Sequence, residues 1–399
     1  MLRKTKSSKK QYYININLDF WKNIPEKYPI KTNNPFYIKY QAEITIFLSY
    51  FFYLLVLRII IPFYQVYQNS YLDWDMYIMM SNDIFSIFKR QIVAPFCYRP
   101  LIPFLAGILP FDLQTSYAII IFVSAYLMGI LLYFTLRLKF NKKLSLIGFL
   151  LFNFLSFIPE ASLISEGSIQ LGFINAAFCF VYFVDLPAGL FIMACMYCIF
   201  SDRKKAYLIV LVLGALTKEI VLGTIPVFLA YEIIRNEDTI KIKTIIKELK
   251  ENLKYIVPGI LAYMILRIIV IPIPVSKTSW YYAYGGNDYG TWGMFLHFLN
   301  IRINEILNEG ALYTWLIGVW SPLIIAFCCF NNKKSAYRWI SVHGVFILMC
   351  YFQIFLGYAT ARYIQFSFYS FIFLAISGLN NTFYVNPLGL HYQYDSQRY

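Results

Sequence analysis

Two aspartates flank a tryptophan at Asp73-Trp74-Asp75, and Tyr77 follows in the same short run. A carboxylate at an apolar–water boundary is suited to take the proton of an attacking hydroxyl. Further on, Arg99 stands between Tyr98 and Pro100, with Pro95 and Pro103 nearby; the prolines break any long helix there and fix where Arg99 points. Arg99, Lys218 and Arg362 are cations close to apolar runs. Asp185, Glu219 and Glu166 are further acidic groups in predominantly apolar surroundings. Each residue also has a plainer reading. Asp73 and Asp75 are good helix caps, and Arg99 can snorkel to headgroups.

Other chemistries find no support. The three histidines, His297, His343 and His391, are scattered and make no metal cluster. Cys195 and Cys198 have redox-motif spacing, but their context, FIMACMYCIF, reads as packing in an apolar helix. Cys97 alone lies in a polar loop. No phosphate-binding glycine loop, dinucleotide fingerprint, nucleophile elbow or H-E-x-x-H is present.

The elements that must position these residues are membrane helices. Of 399 residues, 59% are hydrophobic and only 14% charged, and mean hydropathy is +0.56. That excludes an ordinary soluble domain and a disordered chain. A spanning helix needs roughly 20 apolar residues. The clear runs are 44–64, 116–137, 255–275, 311–330 and 336–357; shorter ones are 144–158, 178–200, 206–216, 220–234 and 363–379. The predicted fold is all-α, a polytopic bundle of about ten passes. Residues 1–43 form a basic segment before it and 380–399 a tail.

Charge gives the orientation. With the N-terminus inside, 26 of the 35 Lys and Arg fall on the cytoplasmic side and seven outside. This follows the positive-inside rule, so the net charge of +14 reflects topology rather than nucleic-acid binding. Both termini are then cytoplasmic, and loop 65–115 faces out. Within it, residues 74–90 are expected to form an amphipathic helix at the membrane surface, with Asp75 on its polar face. The aromatic stretch SWYYAYGGNDYGTW in a later outer loop reads as an interfacial belt. Residues 235–254 read as a solvated cytoplasmic helix.

The passes 206–216 and 220–234 make a hairpin whose tip is Thr217-Lys218-Glu219. Neither arm spans ~30 Å of hydrocarbon, so the tip sits below the outer surface. Ionisable residues at that depth need a partner or a hydrated cavity. Lys218 is expected to face such a cavity and Glu219 to order the helices around it; the alternative is that the two pair with each other, awkward for adjacent residues about 100° apart on a helix, or with Asp185.

In this arrangement the chain resembles the GT-C superfamily of integral-membrane glycosyltransferases. The resemblance rests on Asp73-Trp74-Asp75 and Tyr77 in the first outer loop, Tyr98-Arg99-Pro100 downstream, Asp185-Leu186-Pro187, Thr217-Lys218-Glu219, and Arg362-Tyr363 before the last helix. It implies transfer of a sugar from a polyprenyl-phosphate donor to an acceptor hydroxyl on the extracytoplasmic face of the cell membrane. Asp75, or else Asp73, would be the base, and Arg99, Lys218 and Arg362 would meet the donor phosphate. Tyr77, Asp185, Glu219 and Glu166 would support the cavity. The acceptor, whether lipid, glycan or protein, stays open. No cofactor is implied, and a divalent cation is compatible with the chemistry. An O-antigen-type polymerase, a lipid or sugar transporter and a non-catalytic subunit are the alternative readings.

Overall fold

The computed structural model describes residues 35–60, 71–89, 91–92, 96–156, 184–236, 242–270, 300, 303, 333–352, 366 and 368–384. These are helical, with no strand among the described residues. The chain divides into two compact units, Met1–Tyr50 and Phe51–Tyr399. The first is described from Pro35 onward, where helix α1 (Pro35–Ile60) begins. Proline suits that first helical position, where its missing N–H costs no bond.

In the second unit, α2 (Tyr71–Asn82) leads into a 3₁₀ turn, Ile84–Phe88. A second 3₁₀ turn, Phe96–Tyr98, precedes α3 (Leu101–Ile108). The helix expected over 74–90 therefore starts three residues earlier and stops at Asn82. Asp83 ends it by capping the 3₁₀ turn, its side chain accepting from the Phe85 N–H at 2.9 Å. Short polar side chains compete with helical hydrogen bonding in this way. The expected two-sided face also fails beyond the break: Ser86 is buried, whereas Phe85 and Phe88 are exposed.

Helix α4 (Leu113–Arg137) is capped by Asp112, which accepts from the Thr115 N–H at 2.9 Å and its hydroxyl at 2.6 Å. It is apolar all round, with Ile121, Ala125 and Leu132 buried and Ile119, Val123, Leu127 and Phe134 exposed. A helix of that kind belongs in a large core or a bilayer. Helix α5 (Lys142–Ser156) is capped by Asn141, which accepts from the Leu144 N–H at 3.0 Å.

Helices α6 (Asp185–Phe200) and α7 (Lys204–Thr217) are joined by a tight reversal at Ser201–Arg203. Asp202 there has φ of 60°, a left-handed conformation that Asp tolerates better than most residues. Lys218 is extended and ends α7; a 3₁₀ turn, Glu219–Gly223, leads into α8 (Thr224–Asn236). The expected hairpin 206–234 is thus present, with a short 3₁₀ step after its tip.

Helix α9 (Ile242–Ile269) joins the expected cytoplasmic helix and the 255–275 span into one element. The expected solvated helix is half wrong: Thr244, Glu248 and Asn252 form one buried face. Helices α10 (Lys333–Phe352) and α11 (Phe368–Tyr384) follow. Helix α4 packs on α5 and α6, α7 on α6 and α9, α10 on α8 and α11, and α11 on α5.

Two helices among the described residues, α4 and α9, are long and apolar enough to cross a membrane. Asp185–Phe200, Trp339–Tyr351 and Phe368–Asn380 are apolar but shorter. The expected span 311–330 and the aromatic stretch 279–292 lie outside the described residues.

Candidate functional site

The hairpin tip brings four ionisable side chains together from three distant parts of the chain. Lys218 Nζ donates to Asp185 Oδ1 at 2.5 Å, with both side chains almost wholly buried. The adjacent Glu219 turns the other way. Its carboxylate accepts from Arg99 through Nη2 at 2.6 Å and Nε at 3.3 Å, the forked geometry that a guanidinium favours. Arg99 Nη1 also reaches the Tyr77 hydroxyl at 3.4 Å.

Local folding explains each placement. Asp185 is the first residue of α6, where a carboxylate complements the helix dipole. Extended backbone at Lys218 separates α7 from the 3₁₀ turn, so neighbouring residues aim at different partners. Gly214 lets the turn fold back, because a Cβ there would lie 2.5 Å from Val221 Cγ1. Arg99 follows the Phe96–Tyr98 turn, whose Phe96 carbonyl accepts the Arg99 N–H at 2.9 Å. Gly107 allows α3 to rest on α2, since its Cβ would sit 2.2 Å from the Ser81 carbonyl oxygen. The Tyr77 ring meets Phe96 edge-on at 5.5 Å, and the Tyr117 hydroxyl donates to the Tyr77 carbonyl at 3.3 Å. Phe366 lies beside the Lys218 ammonium, its ring centre 5.1 Å away.

The cluster carries two positive and two negative groups. Arg99 and Lys218 therefore have carboxylate partners without any ligand. Their burial is balanced by these carboxylates. Burial differs within the cluster: the Glu219 side chain is 33% exposed and the Arg99 side chain 7%. Glu219 is the member that water reaches.

A third cation stands alongside. The Arg267 guanidinium lies 4.0 Å from the centre of the Tyr98 ring, and its Nε donates to the Tyr263 hydroxyl at 2.9 Å. Arg267 is exposed and has no carboxylate partner among the described residues. Sequence reasoning left it inside a helix with no role; its place near the end of α9, in line with Tyr263 one turn earlier, was the available signal.

Of the site residues expected from sequence, Tyr77, Arg99, Asp185, Lys218 and Glu219 come together. Asp75 does not join them. It lies about 200° around α2 from Tyr77, exposed and without a hydrogen bond or ion pair among the described residues. Asp73 lies inside α2 rather than before it, two positions from Asp75. Arg362 and Glu166 fall outside the described residues. Cys97, expected in a polar loop, is fully buried within the Phe96–Tyr98 turn that precedes Arg99.

Outside this cluster, two surface aspartates are held in their charged form. The Thr115 hydroxyl and N–H hold the Asp112 carboxyl below the usual carboxylate range. Arg235 does the same for Asp202, which it meets at 2.9 Å. No group of three or more metal-ligating side chains occurs among the described residues. Set against known protein families, curated proteins and solved structures, the chain matches none.

Proposed function

We propose that the chain is a multi-pass membrane glycosyltransferase that moves a sugar from a polyprenyl-phosphate donor to an acceptor hydroxyl at the extracytoplasmic face. Helix α2 carries the observation that supports this reading. One face offers Asp75, an exposed carboxylate with no partner among the described residues, and the other anchors Tyr77 on Arg99. An exposed carboxylate thus sits on a helix anchored to a charge-balanced cluster.

In this reading Asp75 takes the proton of the acceptor hydroxyl. The oxygen forms its bond to the anomeric carbon as the bond from that carbon to the donor phosphate breaks. The lipid phosphate leaves with the electron pair, and its charge is met by Arg267. Arg99 and Lys218 hold the cluster, and Glu219 is the one carboxylate in it that an incoming phosphate can displace. Preorganised cations at a developing phosphate charge lower the barrier without rearranging during the reaction.

The test is transfer from a panel of radiolabelled polyprenyl-phosphate sugars by membranes holding the protein. Lipid-dependent labelling of an acceptor is expected, and Arg267→Gln should weaken donor use at unchanged protein abundance. One observation favours a second reading, a transporter: buried, mutually neutralised ion pairs mark substrate and ion paths in membrane proteins. Uptake or flipping of a labelled lipid without chemical transfer would support that reading instead.

A further inference from the structure

The first half of α9 is built on three separate stripes. Thr244, Glu248 and Asn252 face the protein and are buried. At 100° per residue, Ile242, Ile245, Ile246, Leu249 and Leu253 occupy the next sector, and all are exposed, Ile242 by 76%. Lys243, Lys247, Lys250 and Lys254 share the sector beyond, within an arc of about 60°, and are exposed. Glu251 lies outside that arc and is 3.9 Å from Lys247.

Beyond Lys254 the lysine sector changes character. Val257, Leu261, Ile265 and Ile268 continue it, and the last three are exposed. The exposed apolar stripe, by contrast, runs on through Ile260 and Met264. At 1.5 Å per residue the helix is about 42 Å long, exceeding a hydrocarbon core of ~30 Å. If its C-terminal part spans, roughly its first 8–12 residues must lie at headgroup level. There, one side is apolar and the next carries four ammonium groups.

We propose that this half of α9 is a docking surface for anionic phospholipids of the cytoplasmic leaflet. The isoleucine and leucine stripe sinks toward the acyl chains, and the lysine stripe meets headgroup phosphates. Charge complementarity chooses the occupant: four lysines on one arc suit an anionic leaflet and oppose a second copy of the same arc. A solvated helix would have no use for five large exposed apolar side chains beside them. The proposal rests on α9 crossing the membrane, not on the sugar-transfer chemistry.

The full-length chain carrying Ile246→Cys, labelled with bimane, is placed in nanodiscs of phosphatidylcholine with about one-third phosphatidylglycerol, which gives the surface the negative potential that attracts juxtamembrane lysines. Either lipid is brominated in turn, and the chain without the added cysteine gives the background. Quenching should be at least about twofold stronger per mole of brominated phosphatidylglycerol, because juxtamembrane lysines concentrate anionic lipid. The preference should vanish in K243Q/K247Q/K250Q and survive in K243R/K247R/K250R. Equal quenching by both lipids in the wild type, or protection that follows the number of copies per disc rather than lipid charge, overturns the proposal. A probe at Ile265 should be quenched by both lipids alike. No quenching there removes the spanning helix and this proposal together, while leaving the transfer assay to judge the enzyme reading separately.

Discussion

The two ends of the α7–α8 hairpin solve the same problem differently. At the tip, Lys218 and Asp185 make a pair at 2.5 Å with side-chain exposures of 4% and 0%. At the base, Lys204 and Glu232 also pair at 2.5 Å, but Lys204 is 28% exposed. Lys204 further donates to Asn252 Oδ1 at 3.2 Å, and Asn252 donates to the Glu248 carboxylate at 3.2 Å. The base is a clamp with a wet lysine. At the tip the Lys218–Asp185 pair is dry, and through the partly exposed Glu219 and Arg99 the tip reaches a residue 120 positions away. Structural fastening needs only the first arrangement. The second also fixes α2, the helix that presents Asp75.

The largest effect should come from breaking the dry pair. Lys218→Met removes one partner of a buried ion pair, which costs on the order of 3–5 kcal/mol. Asp185→Asn alone should be nearly as severe. The double variant removes both charges and should regain much of the loss, read as membrane abundance and Tm in a double-mutant cycle. If each single variant is as stable as wild type, the tip is hydrated and the contrast with the base disappears.

Glu232→Gln, at the base, should cost less. Lys204 can turn to water, so the expected loss is roughly 1–3 kcal/mol. A Tm drop matching that of Lys218→Met would mean the two ends are equivalent.

The smallest effect sharpens the comparison at a third, exposed point. The Thr115 hydroxyl and N–H hold the Asp112 carboxyl below its ordinary value. A group depressed in the folded state adds stability above its unfolded pKa and loses it as pH falls through the folded one. Asp112→Ala should therefore lower Tm slightly at neutral pH, and the gap to wild type should close in acid. A gap that persists below the carboxylate range would assign the effect to lost packing instead of the charged cap.

Part of this organisation was legible in the sequence. Helix α4 was, because a long apolar run ends at Arg137 and starts beside a capping aspartate. The split of α9 into two elements was misread from charge. A change from lysine-rich to apolar sequence ends a solvated region but breaks no backbone hydrogen bond, and even Pro258 sits inside the helix. Asp83 misled in the opposite sense: its position fits a helical polar face, yet its side chain is better used as a cap. The Lys218–Asp185 pair appeared only as one alternative, since spacing along the chain does not decide between a carboxylate partner and a hydrated cavity. The Arg99–Glu219 pair joins loops far apart in sequence, and nothing local encodes it. The lone Arg267 was invisible for the same reason: its neighbour Tyr98 comes from another element.

The central claim is that α2 presents Asp75 as the base for sugar transfer from a lipid-linked donor. Asp75→Asn keeps the shape of the side chain and loses the proton acceptor, and no described contact depends on it. With the active member of a polyprenyl-phosphate-sugar panel, transfer should fall ~10²–10⁴-fold at unchanged membrane abundance, the usual contribution of a general base. Asp73→Asn is measured beside it. Full activity in Asp75→Asn with loss in Asp73→Asn moves the base to the opposite face of α2; full activity in both, or no transfer from any donor by the wild type, contradicts the account.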